Sequence, residues 1–282
     1  MKTHFDCFPC FIKQTSRTGK LLELTDDKIW LLIRNALSVL SDMDVSWPPP
    51  KNAVAIYDMI SDFLGTEDPF SSIKDRSTKE VLKLYPLLEE RIKTHADPLE
   101  AAIRLAVCGN VIDYGTSSDF NLLDELDRIF NVDFYKWEYD EFKDRLNRAD
   151  WVLYIGDNSG ESVFDRLLIE ELARPVKFVV RGGPIINDVT YKDAIDAGIH
   201  KVATIVSSGC RVPGIDFEWC SEEFLKLYHE APMIISKGQG NFETLSDEKR
   251  EIFFLFKIKC DVVARHLDCP LGSMFMGRVQ SN

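Results

Sequence analysis

In the first third of the chain, apolar residues recur at intervals of three and four positions, the spacing that buries one face of a helix. The pattern runs through residues 26–43, 51–65 and 77–95. Prolines 48–50 interrupt it, and Asp97 followed by Pro98 fits the N-cap and first position of a further helix. The sequence therefore predicts an N-terminal all-helical region, to which we assign residues 1–113.

After Asn110 the pattern changes to short apolar runs separated by helical segments. The runs are WVLYIG, VKFVVRGG, VATIVSSG, MIISKGQG and IFFLFK, and most of them end in a glycine-containing or polar turn. Such alternation predicts parallel strands joined by crossover helices. The expected fold class is α/β: a Rossmann-like, mostly parallel sheet with flanking helices over residues 114–282, preceded by the helical region.

In open parallel sheets, ligands bind beyond the carboxyl ends of the strands. Four polar residues fall at those ends, namely Asp157, Arg181, Ser207 and Lys237. We therefore expect the functional site at this edge of the sheet, with Arg181 among the residues that bind the substrate.

The segment LYIGDNSGES follows the first of these strands. Asp157 and Asn158 offer hard oxygen ligands to Mg²⁺, Mn²⁺ or a similar ion. The backbone N–H groups of Ser159, Gly160 and Glu161 lie at a predicted helix start, which can bind an anion. The same residue types are also common in simple capped turns, so this segment alone is compatible with either role.

Two later strand ends add candidate ligands. Asp188 can supply a second carboxylate to a cation held at Asp157, or it can cap the following helix. Lys237 can neutralise a phosphate, and the glycine at Gly238 lets the backbone approach a ligand closely. Asn241 belongs to the same polar turn, and we predict that all three residues of this turn contact the substrate.

Two further pairs are ambiguous. Lys257 and Lys259 alternate on one face of a strand, where they either reach solvent at its edge or bind an anion. Asn110 and Asp113 are one helical turn apart, where they either line the cleft or cap a helix end.

The chain contains seven cysteines, an odd number that fits reduced thiols better than a disulfide framework. Only Cys7 and Cys10 are close in sequence. A Cys-x-x-Cys pair can be redox-active, form half of a zinc or iron site, or consist of two small buried residues.

The net charge of −12, from 34 basic and 46 acidic residues, argues against nucleic-acid and anionic-membrane partners. The start of the chain lacks the features of a signal peptide, and no segment approaches the roughly 18 apolar residues of a membrane span. We expect a cytoplasmic protein that acts on a small molecule, and the sequence indicates no oligomeric state.

The motifs GDNSGE, RGGPIINDVTYKDA, KGQGNFETL and FKIKC, together with DCFPC and CGNVIDYG, occur in an order that resembles the metal-dependent damage-control phosphatases. This family, formerly called domain of unknown function 89, includes the acidic-residue methyltransferase-1-like proteins. The resemblance extends over nearly the whole chain. The N-terminal Cys-x-x-Cys is similar to that of the archaeal and bacterial branch.

The resemblance implies one divalent cation, Mn²⁺, Mg²⁺, Co²⁺ or Ni²⁺, and hydrolysis of small phosphomonoesters such as sugar phosphates or damaged phosphometabolites. The family's cation ligands correspond to Asp157, Asn158 and Asp188. Its motif lysine corresponds to Lys237, expected near the phosphate. Its strand lysine corresponds to Lys257 or Lys259, of which we prefer Lys257.

The mechanism expected from this resemblance is metal-assisted phosphoryl transfer to water, with either Asp157 or a water molecule as the attacking group. The general acid or base is left open among Glu161, Glu243 and Asp113. Two other functions remain possible: an S-adenosylmethionine-dependent carboxyl methyltransferase, although the usual glycine-rich first loop is absent, and a non-catalytic metal- or metabolite-binding regulator.

Overall fold

The structure is a computed structural model that describes residues 1–108 and 128–279. The predicted site residues Asn110 and Asp113 lie outside the described residues. So does the predicted boundary between residues 113 and 114, which stays a prediction.

Helices form where the sequence predicted them in the first third of the chain. They are α1 (Cys7–Leu21), α2 (Asp26–Ser41), α3 (Pro49–Leu64), α4 (Ser71–Thr94) and α5 (Pro98–Cys108). Pro48 is the N-cap of α3, and the following prolines occupy its first turn, where a missing N–H costs no intrahelical hydrogen bond. Helices α1 to α3 share an apolar cluster of their own. Helices α4 and α5 instead pack into the core on one face of the sheet.

The sheet has seven strands in the described part of the chain. They are β1 (Phe134–Trp137), β2 (Val152–Ile155), β3 (Val176–Val180), β4 (Thr204–Ser207), β5 (Met233–Lys237), β6 (Phe253–Lys257) and β7 (Met274–Gly277). The strand order is β1-β7-β6-β5-β2-β3-β4. Neighbouring strands are parallel, apart from the antiparallel β6–β7 pair. The predicted α/β class with a mostly parallel sheet is confirmed.

Six helices flank the strands in the described part of the second region. They are α6 (Tyr139–Arg148), α7 (Ser162–Leu172), α8 (Tyr191–Asp196), α9 (Glu222–Glu230), α10 (Gln239–Leu245) and α11 (Asp261–His266). Strands β2 and β5 are buried along their whole length, because core side chains cover both faces of the sheet. Within the described residues, no helix is both long enough and apolar enough to cross a membrane.

The order of the strands creates a switch point between β2 and β5. From β2 the chain proceeds to β3 and β4 on one side, and then returns to place β5 on the other side of β2. The carboxyl ends of β2 and β5 therefore flank the position where ligands bind in sheets of this kind.

Candidate active site

A cavity of about 250 Å³ lies at this switch point, between the sheet and the N-terminal helices. Helix α1 contributes Phe11 and Gln14, and the start of α3 contributes two prolines. The opposite wall consists mainly of polar residues that follow strand ends, among them Asp157, Asn158, Asp188, Gln239, Glu243 and Lys259. The helical region thus closes a cleft that the sheet alone would leave open.

Backbone hydrogen bonds bring the loops after β2 and β3 together. The amide of Val189 donates to the carbonyl of Asp157 at 2.8 Å, and the amide of Ser159 donates to the carbonyl of Asn187 at 2.9 Å. Asn158 and Asp188 form an isolated bridge between the two loops. As a result Asp157, Asn158 and Asp188, the three predicted cation ligands, lie side by side on the cavity wall.

Arg181 lies beneath these carboxylates, and its side chain has no exposed surface. Its Nε donates to Asp188 Oδ2 at 2.7 Å, and its Nη2 is 3.8 Å from Asp157 Oδ1. It is not among the described residues that line the cavity. The sequence predicted a substrate contact here. The structure shows the guanidinium as a buried counter-ion of the two aspartates, and a substrate contact of Arg181 stays a prediction.

Lys237 is also fully buried. Its Nζ donates to Glu161 Oε1 and to Asp165 Oδ1, both at 2.6 Å, and Tyr154 donates to the same Asp165 oxygen at 2.7 Å. Burial opposes the charge of Lys237, yet the two carboxylates raise its pKa above the ordinary lysine value. In the structure its ammonium group is held by these two carboxylates, and the contact between Lys237 and a phosphate stays a prediction.

The three residues predicted to bind an anion are not among the described residues that line the cavity. The Ser159 amide already donates to Asn187, and Glu161 pairs with Lys237. A β-carbon at Gly160 would lie 2.1 Å from Ser77 Oγ, so this glycine packs directly against α4. The turn at Ser159, Gly160 and Glu161 thus contacts other parts of the protein, and the anion site predicted there stays a prediction.

Gly238 and Asn241 organise the switch point. Gly238 has φ +82°, and a β-carbon there would be 2.0 Å from Asp157 Oδ2. Asn241 donates to the carbonyls of Gly156 at 3.0 Å and Lys237 at 2.7 Å, which ties the ends of β2 and β5 together. The close approach predicted for Gly238 is thus made to a protein carboxylate. Asn241 is fully buried and is not among the described residues that line the cavity.

The buried charges at this edge do not balance. Four carboxylates, from Asp157, Glu161, Asp165 and Asp188, surround two buried cations, Arg181 and Lys237. Burial is the main reason that the pKa values of Asp157 and Asp188 lie above the ordinary range, and for Asp157 repulsion from Asp188 and Glu161 adds to it. If all four carboxylates ionise, the cluster carries an excess charge of about −2, which a divalent cation would neutralise.

The donor atoms on the cavity wall fit a hard cation. Asn158 donates its amide nitrogen to Asp157 Oδ2 at 2.8 Å and to Glu161 Oε2 at 3.1 Å, so a cation would take its Oδ1. In the described part of the chain, no group of three or more His, Cys, Asp or Glu side chains is placed to hold a metal ion. The site would therefore combine two carboxylates with an amide oxygen, a set suited to Mg²⁺ or Mn²⁺.

On the opposite side of the cavity, the Gln239 side chain makes hydrogen bonds that hold its neighbours in place. Its Nε2 donates to Glu243 Oε1 at 2.7 Å, and its Oε1 accepts from the Lys259 amide at 2.7 Å. Glu243 is 9% exposed, and burial raises its pKa to about 7. Among the described residues Lys259 lines the cavity and Lys257 does not, so the geometry favours Lys259, while the role predicted for Lys257 stays a prediction.

Gln14 lines the cavity but carried no signal in the sequence, because it lies on an ordinary amphipathic helix far from the strand ends. Gln239 and Glu243, four residues apart in KGQGNFE, could have been recognised as neighbours on one helical face.

The cysteines of the N-terminal motif lie behind the cavity wall. Gln14 Nε2 donates to Cys10 Sγ at 3.3 Å, and Gln239 Nε2 contacts Cys260 Sγ at 3.4 Å. Burial raises the pKa of Cys7 to about 11 and also raises that of Cys10. Cys7 is buried and Cys10 is half-buried, and both thiols are free and protonated near neutral pH.

Known proteins share this architecture. A profile of the damage-control phosphatase ARMT1-like domain matches residues 3–275. The chain is 34% identical over 286 residues to the damage-control phosphatase of Pyrococcus horikoshii, with 97% of each protein covered. It is 31% identical over 281 residues to the damage-control phosphatase of Archaeoglobus fulgidus. That alignment covers 95% of this chain and 96% of the relative.

A solved structure agrees with these matches. The crystal structure of a protein of the domain of unknown function 89 family from Pyrococcus horikoshii superposes with a TM-score of 0.90 at 33% identity, covering 99% of this chain and 100% of the other. The resemblance indicated by the sequence motifs is confirmed.

Proposed function

Because the chain belongs to the damage-control phosphatase ARMT1-like family and is a phosphatase, we propose that it hydrolyses small phosphomonoesters with the help of one divalent cation. The observation that carries the proposal is the convergence of Asp157, Asn158 and Asp188 on one wall of the cavity, within a cluster whose excess negative charge a cation would neutralise.

The cation, Mn²⁺, Mg²⁺, Co²⁺ or Ni²⁺, would be held by Asp157, Asn158 and Asp188, and when bound it supplies positive charge that stabilises the transferring phosphoryl group. Arg181 holds the Asp188 carboxylate in place through its 2.7 Å bond. Lys259, exposed on the cavity wall, is the protein cation that attracts the phosphate. Water is the phosphoryl acceptor.

The substrate is a small phosphorylated metabolite. The cavity of about 250 Å³ matches a sugar phosphate or a damaged metabolite of similar size better than a polymer. Its lining combines Phe11 with the side-chain amides of Gln14, Asn187 and Gln239, which suits the hydroxyl groups of such a molecule. Family membership favours the phosphatase over the methyltransferase and regulator alternatives.

The test is phosphate release from a panel of sugar phosphates and from p-nitrophenyl phosphate, using chelator-treated protein supplied with each of the four metals. We expect release only with metal, and loss of at least about 100-fold in Asp157→Asn and in Asp188→Asn. Asp196→Asn, an exposed carboxylate on α8, is the matched control and should match wild type.

A second readout does not depend on turnover. Mn²⁺ should raise the Tm of wild type and of Asp196→Asn, but not of the two site variants, because ligand binding to the folded state stabilises it. Metal-independent release, or metal-dependent release that survives in both site variants, would contradict the proposal.

A further inference from the structure

Glu243 carries a carboxyl group of the cavity that the proposed cation site does not use. The acidic residues among the described lining residues are Asp157, Asp188 and Glu243, and the first two would bind the cation. We propose that Glu243 is the general acid that donates a proton to the departing alcohol oxygen. This inference rests on the phosphatase function proposed above.

The position of Glu243 follows from the start of α10. Gly238 abuts the Asp157 carboxylate, and Gln239 begins the helix and holds Glu243 Oε1 at 2.7 Å. Asp157, Asp188 and Glu243 line the same cavity of about 250 Å³. A phosphate held at the cation ligands would therefore present its ester oxygen to the space that Glu243 lines.

The protonation state of Glu243 suits this role. Burial raises its pKa to about 7, while the hydrogen bond from Gln239 opposes the rise. A general acid is most effective when its pKa is near the working pH. The ionisable groups that face it are the thiols of α1 and of the start of α11, the terminal amino group bonded to its carbonyl, and the Lys259 ammonium on the same wall.

Hydrolysis transfers the phosphoryl group from the alcohol oxygen to water. A water oxygen forms a bond to phosphorus while the bond from phosphorus to the alcohol oxygen breaks, and that electron pair remains on the alcohol oxygen. The Glu243 proton passes to this oxygen and gives a neutral alcohol. One hydrogen of the water stays on the phosphate product, and the other is released and restores the proton on Glu243.

The need for an acid depends on the leaving group. A sugar alkoxide is a strong base and leaves poorly without a proton, whereas p-nitrophenolate is stable without one. The loss caused by removing the acid should therefore be large for alkyl phosphates and small for aryl phosphates. A residue that only supports the fold or the metal would affect both substrates equally.

The experiment compares kcat for glycerol 3-phosphate or an active sugar phosphate with kcat for p-nitrophenyl phosphate at saturating Mn²⁺. In Glu243→Gln we expect kcat to fall about 100-fold or more for the alkyl ester and less than about 3-fold for the aryl ester. In wild type, alkyl turnover should fall as the pH rises through about 7, and this limb should vanish in the variant. Asp247→Asn, an exposed carboxylate just after α10, is the control.

Equal losses on the two substrates, or an unchanged alkyl rate, would overturn the role of Glu243 while leaving the phosphatase function intact. If wild type releases phosphate from neither ester with any metal, the proposed function itself fails. If Glu243→Gln does not fold, Gln239→Met replaces it. Removing that hydrogen bond should raise the pKa of Glu243 and move the basic limb of the alkyl profile upward, and an unmoved limb would contradict the proposal.

Discussion

Gly238 approaches Asp157 so closely that a β-carbon at this glycine would lie 2.0 Å from Asp157 Oδ2. Any side chain here must displace a carboxylate of the proposed cation site, in addition to adopting φ +82°. We expect Gly238→Ala to lower metal-dependent phosphate release at least about 100-fold and to weaken Mn²⁺ binding, since small displacements of reacting groups have effects of this size. Turnover and metal titration would measure both effects.

Gly65 is the matched control, because it has φ +66° but a β-carbon there would meet no described atom within 4 Å. Gly65→Ala should cost about 1 kcal/mol of stability from its backbone conformation and leave turnover unchanged. If Gly238→Ala behaves like Gly65→Ala, the contact with Asp157 has no functional consequence.

Lys237 neutralises two buried carboxylates, Glu161 and Asp165, with both Nζ–O distances at 2.6 Å. Lys237→Met removes the cation and leaves the carboxylates without it, which we expect to cost about 3–5 kcal/mol in the free energy of unfolding. Adding Asp165→Asn should recover part of this loss, because it removes one of the two charges. Urea denaturation of the metal-free proteins would measure these changes.

Lys257→Met provides the comparison. This lysine ends the neighbouring strand and is only half-buried. Its replacement should change the unfolding free energy by less than about 0.5 kcal/mol. A small effect of Lys237→Met, or no recovery in the double variant, would mean that the Lys237 pairs contribute little to stability.

The strands β2, β3, β5 and β6 were predictable because they lie inside the sheet, and the edge strand β4 because its apolar run ends in a polar, glycine-containing turn. Burial on both faces demands nearly continuous apolar runs, as in the VLYI of β2. The structure adds β1 and β7, which the sequence did not predict. β1 is a partly exposed edge strand, and β7 has only three apolar residues before Gly277, so both runs are weaker signals than those of the central strands.

The location of the site was predictable from the same topology, whereas the direction of each side chain was not. Arg181 and Lys237 both occur at strand ends, where a ligand contact is a reasonable expectation. The structure directs them toward buried carboxylates instead. Asp165 reads in the sequence as an ordinary acidic residue of an amphipathic helix, and only tertiary packing shows that it is fully buried beside Lys237.

Lys259 lines the cavity, and its amide is held by Gln239 Oε1 at 2.7 Å, while Lys257 is not among the described lining residues. We therefore expect Lys259→Ala to lower kcat/KM for phosphomonoesters about 10-fold, because it removes a positive charge next to the phosphate. Lys257→Ala should remain within about 2-fold of wild type.

The effect of Lys259 should also shrink as ionic strength rises, because this lysine is exposed and salt screens its field. Steady-state kinetics at about 0.05 and 0.5 M salt would measure this change. A larger loss in Lys257→Ala than in Lys259→Ala would reverse the assignment.

The raised pKa of Glu243 also predicts how stability depends on pH. In the folded protein burial moves this pKa from 4.5 to about 7, so between these values the folded state keeps a proton that the unfolded chain has released. The folded state therefore loses stability as the pH rises through this range, by up to about 3 kcal/mol. The variant Glu243→Gln has no carboxyl group at this position, so its stability does not fall for this reason as the pH rises.

We accordingly expect the stability of Glu243→Gln relative to wild type to improve by about 2–3 kcal/mol between pH 5 and pH 8. Urea denaturation in metal-free buffer at the two pH values would measure this difference without any assumption about turnover. A constant difference between the two proteins would mean that Glu243 titrates at the same pH in the folded and unfolded states. Its carboxyl would then be fully ionised at neutral pH, which would remove the basis for its role as a proton donor.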